Sequence, residues 1–340
     1  MEKILITGGC GFLGSNLCYH GLKNGYQISV IDNLSRRGSK ANLNWLVDAG
    51  LDNYHLVDIS NQNEIEKIIK ELKPDFIFHL AAQVAMINSI KDPYEDFQTN
   101  ALGTMVILEA VRNFSPKTGI IFASTNKVYG DLKKYRIIES KKRYELLDSP
   151  NGFDEETKID FQSPYGCSKG SADQYMQDYY RMYNVNSIVF RHSTLYGGRQ
   201  HSTFEQGWIS WFCSQAIKQK FNNRTEPFTI SGDGKQVRDI LHINDAISLY
   251  FLAIKNMDKL SGNVYNIGGG KDNSISIIEL INLLEEEFNH ALHYSFLPWR
   301  SSDQKVFISD VKKIQDQINW KVNIKNFDGI KMMIDWLLKQ

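Results

Sequence analysis

Ile4-Leu5-Ile6-Thr7-Gly8-Gly9-Cys10-Gly11-Phe12-Leu13-Gly14 is the stretch on which the fold turns. The apolar run over 4–6 reads as a short buried strand, and residues 11–23 read as a helix. Gly8, Gly11 and Gly14 therefore lead from the turn after the strand into the opening residues of the helix. Without side chains there, the chain can bend tightly and aim the first free N–H groups of the helix at a pyrophosphate. A glycine pattern alone says little; the strand directly before it and the helix directly after give it meaning.

The same alternation continues outward. Strands are expected over 28–31, ending at Asp32, and over 54–57, ending at Asp58. A helix follows over 61–72, where Asn61 and Glu64 have capping-box spacing. Further strands are expected over 76–80, closed by Ala81-Ala82, and over 120–123, with a helix over 96–111 between them. A helix over 165–183 and a strand over 187–191 complete this half. Short apolar strands separated by helices predict an α/β, Rossmann-type, doubly wound parallel sheet covered on both faces. Beyond Gly197 the elements shorten: helices over 204–218, 276–288 (Ser276 and Glu279 as a capping box) and 328–338, and strands over 228–231 and 264–267. These predict a smaller C-terminal α/β lobe. Residues 1–190 are read as mainly the dinucleotide-binding domain and 191–340 as mainly the substrate-binding lobe, with some elements returning to the first. Residues 131–162 are polar, weakly periodic and too long for an ordinary connection, so they are either disordered or an excursion near the site.

The bulk composition narrows the partners. Among 340 residues, Lys+Arg and Asp+Glu both total 39, so there is no global attraction to nucleic acid or to an anionic membrane. No apolar run is long enough to span a bilayer. Cys10, Cys18, Cys167 and Cys213 form no CxxC pair, and no signal peptide is evident, so a soluble protein of the reducing cytoplasm is expected. The histidines, His79, His192, His201 and His242 among them, show no metal-ligand spacing, and no metal is expected.

Asp32 closes the second strand about twenty residues after the glycines. A carboxylate there accepts the adenosine ribose hydroxyls and repels a 2′-phosphate, favouring NAD over NADP. Arg36 and Arg37 follow closely and can instead accommodate that phosphate. Asp58-Ile59 can reach the adenine, although an acid at a strand end is often only a cap. Farther on, Tyr165 and Lys169 stand four apart, which at helical spacing puts both on one face. The ammonium is expected to lower the phenol from its ordinary value of about 10 and make it a base. Ser124-Thr125 ends the strand over 120–123, at the carboxyl edge where open α/β sheets bind ligands.

In this combination of features the chain resembles the extended short-chain dehydrogenases/reductases that act on nucleotide sugars. The resemblance runs through the glycines, Leu80-Ala81-Ala82, Asn100, Ser124-Thr125, Val128-Tyr129-Gly130 and Tyr165 with Lys169. It continues through Phe190-Arg191, Tyr196-Gly197, Arg238-Asp239 and Asn266-Ile267-Gly268. It implies Thr125 as the hydroxyl that holds the reacting oxygen, Tyr165 as base and Lys169 as its partner. It implies NAD held by Gly8, Gly11, Phe12, Leu13, Gly14, Asp32, Asn33, Asp58, Ile59, Leu80, Ala81, Ala82, Asn100, Tyr165, Lys169 and Phe190. Substrate candidates are Gln83, Ser124, Asn126 and His192 for the sugar, Arg199, Arg238 and Arg300 for the diphosphate, and Asp303 for a ribose. The resemblance also implies a homo-oligomer, dimer or tetramer.

The 4,6-dehydratases of this group carry Asp-Glu after the threonine; here Asn126-Lys127 stand there, which removes the proton donor and acceptor of an elimination. Words such as Ser124-Thr125-Asn126-Lys127-Val128 and Phe190-Arg191-His192-Ser193 resemble the CDP-tyvelose (CDP-paratose) 2-epimerases. That implies transient oxidation of the sugar and re-reduction on its other face. A UDP-sugar 4-epimerase uses the same three residues, and a binding protein of the same fold has no need of a tuned phenol. Residue chemistry alone leaves C2 and C4 open.

Overall fold

Seven parallel strands form the central sheet: β1 (Lys3–Thr7), β2 (Gln27–Ile31), β3 (Asn53–His55), β4 (Phe76–His79), β5 (Gly119–Thr125), β6 (Ser187–His192) and β7 (Val264–Ile267). Their spatial order is β7-β6-β5-β4-β1-β2-β3 in this computed structural model, which describes residues 1–221, 226–300 and 303–340. β1 is the switch point: β2 lies on one side of it and β4 on the other, both parallel. A crevice opens at the carboxyl ends of strands on either side of such a point, which is where ligands bind in this architecture.

Strand alternation builds the two cores. Ile4 and Ile6 of β1 point into one cluster with Leu17, Cys18 and Tyr250, while Leu5 points into the other with Ile65, Ile107 and Ala172. The sheet is therefore buried on both faces, as its near-continuous apolar strands require. A third cluster, around Phe212, Ile230, Leu280 and Ile334, holds the C-terminal elements together. Between β1 and β4, the Thr7 hydroxyl meets His79 Nδ1 at 2.7 Å, and Thr104 meets Nε2 at 2.9 Å. Burial, with Lys169 adding, pushes His79 down to about 3, so the ring is a neutral strut across the sheet.

Several expected elements take a different form. The strand placed at 54–57 is Asn53–His55, one residue earlier. The helix expected over 96–111 is present and longer, running without interruption as Pro93–Phe97 capped by Asp92, a π turn over Gln98–Leu102, and Gly103–Phe114, with a separate short helix, Met86–Lys91, before it. The wide turn lets Asp96 and Asn100 share one buried network while Gln98 and Thr99 line the crevice. Helices Ser39–Asp48 and Ile243–Ile254 were not anticipated. The Ile243–Ile254 helix is apolar nearly all round, so it carries little periodic signal.

Residues 131–162 are ordered. A hairpin of Ile137–Glu139 and Tyr144–Leu146 docks on the C-terminal elements through Tyr144, which bonds Asp233 at 2.5 Å. Phe153 then exchanges backbone bonds with Ile308 (2.7 Å) and Asp310 (2.9 Å). The polar residues of this stretch are spent on long-range partners, which a local pattern cannot reveal. The capping box at Ser276 and Glu279 forms as expected, and Asn61 accepts from the Glu64 N–H at 3.4 Å. No described helix is long and apolar enough to cross a membrane.

Candidate active site

A cavity of about 680 Å³ runs along the carboxyl edge of the sheet from the opening glycines to Tyr165 and on to Trp208. At one end lies the turn after β1. Gly8 has φ +69°, and a Cβ there would sit 2.7 Å from the Ala81 nitrogen. Gly14 packs its Cα against the Gly8 carbonyl and the Gly9 Cα, so a Cβ would collide with backbone. No side chain caps helix Phe12–Lys23 and no acid stands in its first turn, so its free N–H groups and positive dipole end face the cavity.

Asp32 lies beside that turn, accepting from the Cys10 N–H (2.9 Å) and the Leu34 N–H (2.8 Å). Burial raises its carboxyl, and those two bonds oppose the rise. Asn33 donates to Asp58 at 2.7 Å, joining two of the expected cofactor contacts. Ser60 donates to the other Asp58 oxygen at 2.7 Å. Burial disfavours the Asp58 charge, yet the Ser60 and Asn33 bonds hold the carboxyl below its usual range. An uncapped helix end, a glycine floor and a ribose-reading carboxylate form the donor and acceptor set that a dinucleotide requires. The Gly14→Ala substitution is expected to cost about 1–3 kcal/mol by overpacking and to strip the bound dinucleotide. Dinucleotide content after purification, with a melting curve, checks this; a variant that stays loaded would remove the glycine floor from the account.

At the other end, Ser124, Thr125, Tyr165, Lys169 and His192 line the same cavity. Strand β5 delivers the two hydroxyls at its carboxyl terminus. Helix Ser163–Tyr183 delivers Tyr165 and Lys169 one turn apart. The Thr125 hydroxyl stands beside the Tyr165 phenol, where it favours the ionised form. Ser124 instead donates to Asp173 at 2.7 Å, whereas the Thr125 hydroxyl is held only by its own turn, accepting from the Lys127 N–H (3.2 Å) and donating to Asn126 Oδ1 (3.4 Å). Lys169 stands with its ammonium 4.0 Å above the Phe122 ring.

The protein's own charges do not lower the phenol. Burial pushes Tyr165 up to about 12, against the Thr125 hydroxyl and Arg36 and with Asp96 adding to the rise. Burial also pushes Lys169 down to about 7, with Asp173 and Asp96 opposing. Spacing suggested an ammonium that tunes the phenol; in the folded chain desolvation outweighs the surrounding charges. His192 is driven by burial, and then by Lys169, down to about 3, and its Nε2 lies 3.3 Å from the Tyr250 hydroxyl. It is a neutral ring at the cavity wall.

A buried scaffold fixes these groups. Arg191 forks onto Asp173 with two bonds of 2.9 and 3.0 Å, the two side chains being 3% and 0% exposed. Arg191 also donates to Tyr129 (3.0 Å), which donates to Asn266 (2.7 Å). Helix Ser163–Tyr183, β5, β6 and β7 are thereby tied together beneath the site. On the opposite wall Asp96 accepts from Ser168 (2.5 Å) and from Gln83 (2.9 Å). Sequence reading missed the parts played by Asp96 and Asp173, because nothing local distinguishes them from surface acids on a helix.

Not every expected contact reaches the cavity. Gln83 lines it, but its amide is spent on Asp96 and Ala85. Asn100 lies behind Gln83, accepting from its N–H at 2.9 Å, and Phe190 is fully buried among Tyr250 and Tyr265. Both support the wall from behind. Asn126 turns away and donates to Gln304 at 3.1 Å. Arg199, expected beside the diphosphate arginines, does line the cavity, but toward the glycine end, 4.0 Å over Trp45. Arg238 and Asp303 pair at 2.7 Å, with Lys127 3.6 Å from the same carboxylate. Arg300 stacks on Phe204 and donates to the Phe204 carbonyl at 3.0 Å, next to cavity residue Glu205.

The profile described as GDP-mannose 4,6 dehydratase matches residues 5–333. The chain is 52% identical over 336 residues to a CDP-paratose 2-epimerase of Salmonella typhi, covering 98% of each. Among solved structures it is similar to the UDP-glucose 4-epimerase of Thermotoga maritima with UDP-glucose (29% identity, 99% of each chain, TM-score 0.84). It is likewise similar to the UDP-glucuronic acid 4-epimerase of Bacillus cereus in complex with UDP-glucuronic acid and NAD (27% identity, 99% of each chain, TM-score 0.83). A hydroxyl, a phenol and an ammonium converging beside a glycine-floored dinucleotide cavity, with matches over nearly the full length, place this chain in the GDP-mannose 4,6-dehydratase family, the NAD-dependent epimerases and dehydratases of the extended short-chain dehydrogenase/reductase class.

Proposed function

We propose that the chain is a CDP-sugar 2-epimerase working with bound NAD. The observation that carries the chemistry is the convergence of Thr125, Tyr165 and Lys169 on one cavity whose far end is built for a dinucleotide. The choice of a CDP-sugar and of C2 is supported by the 52% identity to a CDP-paratose 2-epimerase over nearly the whole length.

In this reading Gly8, Gly11, Gly14 and the N–H groups of Phe12 and Leu13 hold the pyrophosphate, and Asp32 the adenosine ribose. Asn33, Asp58, Ile59 and Leu80 to Ala82 flank the adenine and the nicotinamide side. Bound in its oxidised form, the dinucleotide supplies a hydride acceptor that later returns the hydride, and a positive charge beside the phenol. Tyr165 removes the proton of the sugar hydroxyl and gives it back at the end, so no proton is gained or lost. Thr125 holds the same oxygen by a hydrogen bond as it becomes a carbonyl. Lys169, one turn along the same helix, is placed to hold the ribose on the nicotinamide side, and neutral His192 offers the sugar a hydrogen-bonding partner without adding charge. Residues 1–190 mainly serve the dinucleotide and 191–340 mainly the substrate, with Arg238 and Arg300 on the diphosphate and β7 returned to the main sheet.

Water loss is disfavoured because Asn126 cannot move a proton and Lys127 is engaged with Asp303. The same three residues would serve a C4 epimerisation of a UDP-sugar, so the product decides. Purified protein is incubated with CDP-, UDP-, GDP- and dTDP-hexoses and the epimers are followed by NMR. Inversion at C2 of a CDP-sugar is expected; inversion at C4 with C2 untouched would reject this reading.

A further inference from the structure

We propose that Lys127 decides which sugar carbon meets Tyr165, by drawing the substrate's inner phosphate toward the Thr125 end of β5 so that C2 rather than C4 lies against the phenol. This rests on the reading of the chain as a CDP-sugar 2-epimerase and adds the residue that sets its position of attack.

Lys127 belongs to the same tight turn as the catalytic hydroxyl. Its backbone N–H donates to the Thr125 side-chain oxygen at 3.2 Å. Its ammonium lies 3.6 Å from Asp303, the carboxylate that Arg238 grips at 2.7 Å. The three side chains are only 20%, 12% and 18% exposed. Arg300 stands close enough for its charge to act on both Lys127 and Asp303. Burial pushes Lys127 down to about 8, Asp303 opposing and Arg238 and Arg300 adding. Among the described residues, Asp303 is the one carboxylate paired with these cations. Lys127 and Arg238 share one carboxylate, which leaves a positive charge in excess where water is scarce, and Arg300 adds to it at longer range. A diphosphate answers that excess.

The members of the cluster are not equivalent. Arg238 and Arg300 come from the C-terminal elements, whereas Lys127 rides on the strand end that carries Thr125. In a nucleotide sugar the inner phosphate is borne by C1. C2 is the next ring carbon, while C4 lies across the ring. To present C2, an enzyme must hold the phosphate closer to its base than one that presents C4. Lys127 is the cation of the cluster nearest in the chain to Thr125, and its turn is held still. Asn126 donates to Gln304 (3.1 Å), and Gln304 donates to the Gly130 carbonyl (2.6 Å). Consecutive residues 126 and 127 thus pair with consecutive residues 304 and 303, fixing the distance from the phosphate anchor to the reacting oxygen.

The test uses the purified holoenzyme, CDP-paratose followed by NMR, and CDP as a competitive inhibitor. Lys127→Met is expected to lower kcat for C2 inversion by about a hundredfold, the cost of a misplaced sugar. CDP should still bind within a few fold of wild type, because Arg238 and Arg300 keep their grip. Lys127→Arg should recover most of the lost kcat. Lys127→Gln is read in the same way should the methionine variant fail to fold, with melting curves as the control. Unchanged kcat, or a kcat loss matched by an equal loss of CDP affinity, overturns the role given to Lys127. Wild-type protein that inverts C4 alone overturns the 2-epimerase reading itself, which keeps the two failures apart.

Discussion

Tyr165→Phe should lower kcat by about three to four orders of magnitude while the protein stays folded and loaded with dinucleotide. Only the phenol oxygen is lost. The ring keeps its nearly buried place on helix Ser163–Tyr183, and the glycine floor and Asp32 are distant from it in the chain. General acid–base groups of this kind contribute about 10²–10⁴-fold, and here one oxygen acts as base in the first half-cycle and as acid in the second, which argues for the upper end. The measurement pairs an NMR assay of epimer formation with the dinucleotide content of the denatured protein. A variant that keeps a tenth of the wild-type rate would mean that another group moves the proton. The wild-type rate should also fall as pH is lowered. Burial already holds the phenol up at about 12 against the Thr125 hydroxyl, so acid depletes the phenolate first.

Arg191→Met is expected to cost about 3–5 kcal/mol of stability, through a mechanism unrelated to catalysis. Asp173 is fully buried, and Arg191 supplies both of its ion-pair bonds; only the neutral donors Ser124, Gln174 and Gln177 would remain to solvate the carboxylate. Removing one partner of such a pair leaves an uncompensated charge in a dry environment. For a chain of this size the loss corresponds to a melting temperature lower by roughly 4–7 °C. Adding Asp173→Leu to the same protein should restore much of the stability, since apolar replacement of both partners avoids the stranded charge. A single variant that melts within about 2 °C of wild type would show that the fork is not what holds β6 to the catalytic helix.

Much of this was legible before any coordinates. The glycine turn, Asp32, the strand end at Thr125 and the Tyr165–Lys169 spacing are local features, each set by one element's period or one turn's steric demand. The parallel sheet followed from short apolar strands alternating with helices, because a strand buried on both faces must be apolar throughout. The regions that resisted reading are those whose residues satisfy distant partners. Residues 131–162 looked featureless because Tyr144, Phe153 and Glu155 spend their bonding on Asp233, Ile308 and Asn266. What spacing does not reveal in the helix expected over 96–111 is its π turn, which brings Asp96 and Asn100 both to Ser168 and Gln83.

The amino-acid sequence by itself determined the class of sheet, the glycine turn that floors the cavity, the strand end that carries Ser124 and Thr125, and the spacing that sets Tyr165 and Lys169 on one helix face, since each depends on neighbours within a turn or a strand. Only the tertiary structure decided that Ser124 is spent on Asp173, that Asn100 and Phe190 support the cavity from behind, and that Lys127 meets Arg238 across Asp303. It also decided that burial, not the lysine, governs the phenol. The physical reason is common to all of them: hydrogen bonding and desolvation depend on which distant groups share a space, and spacing along the chain does not carry that information.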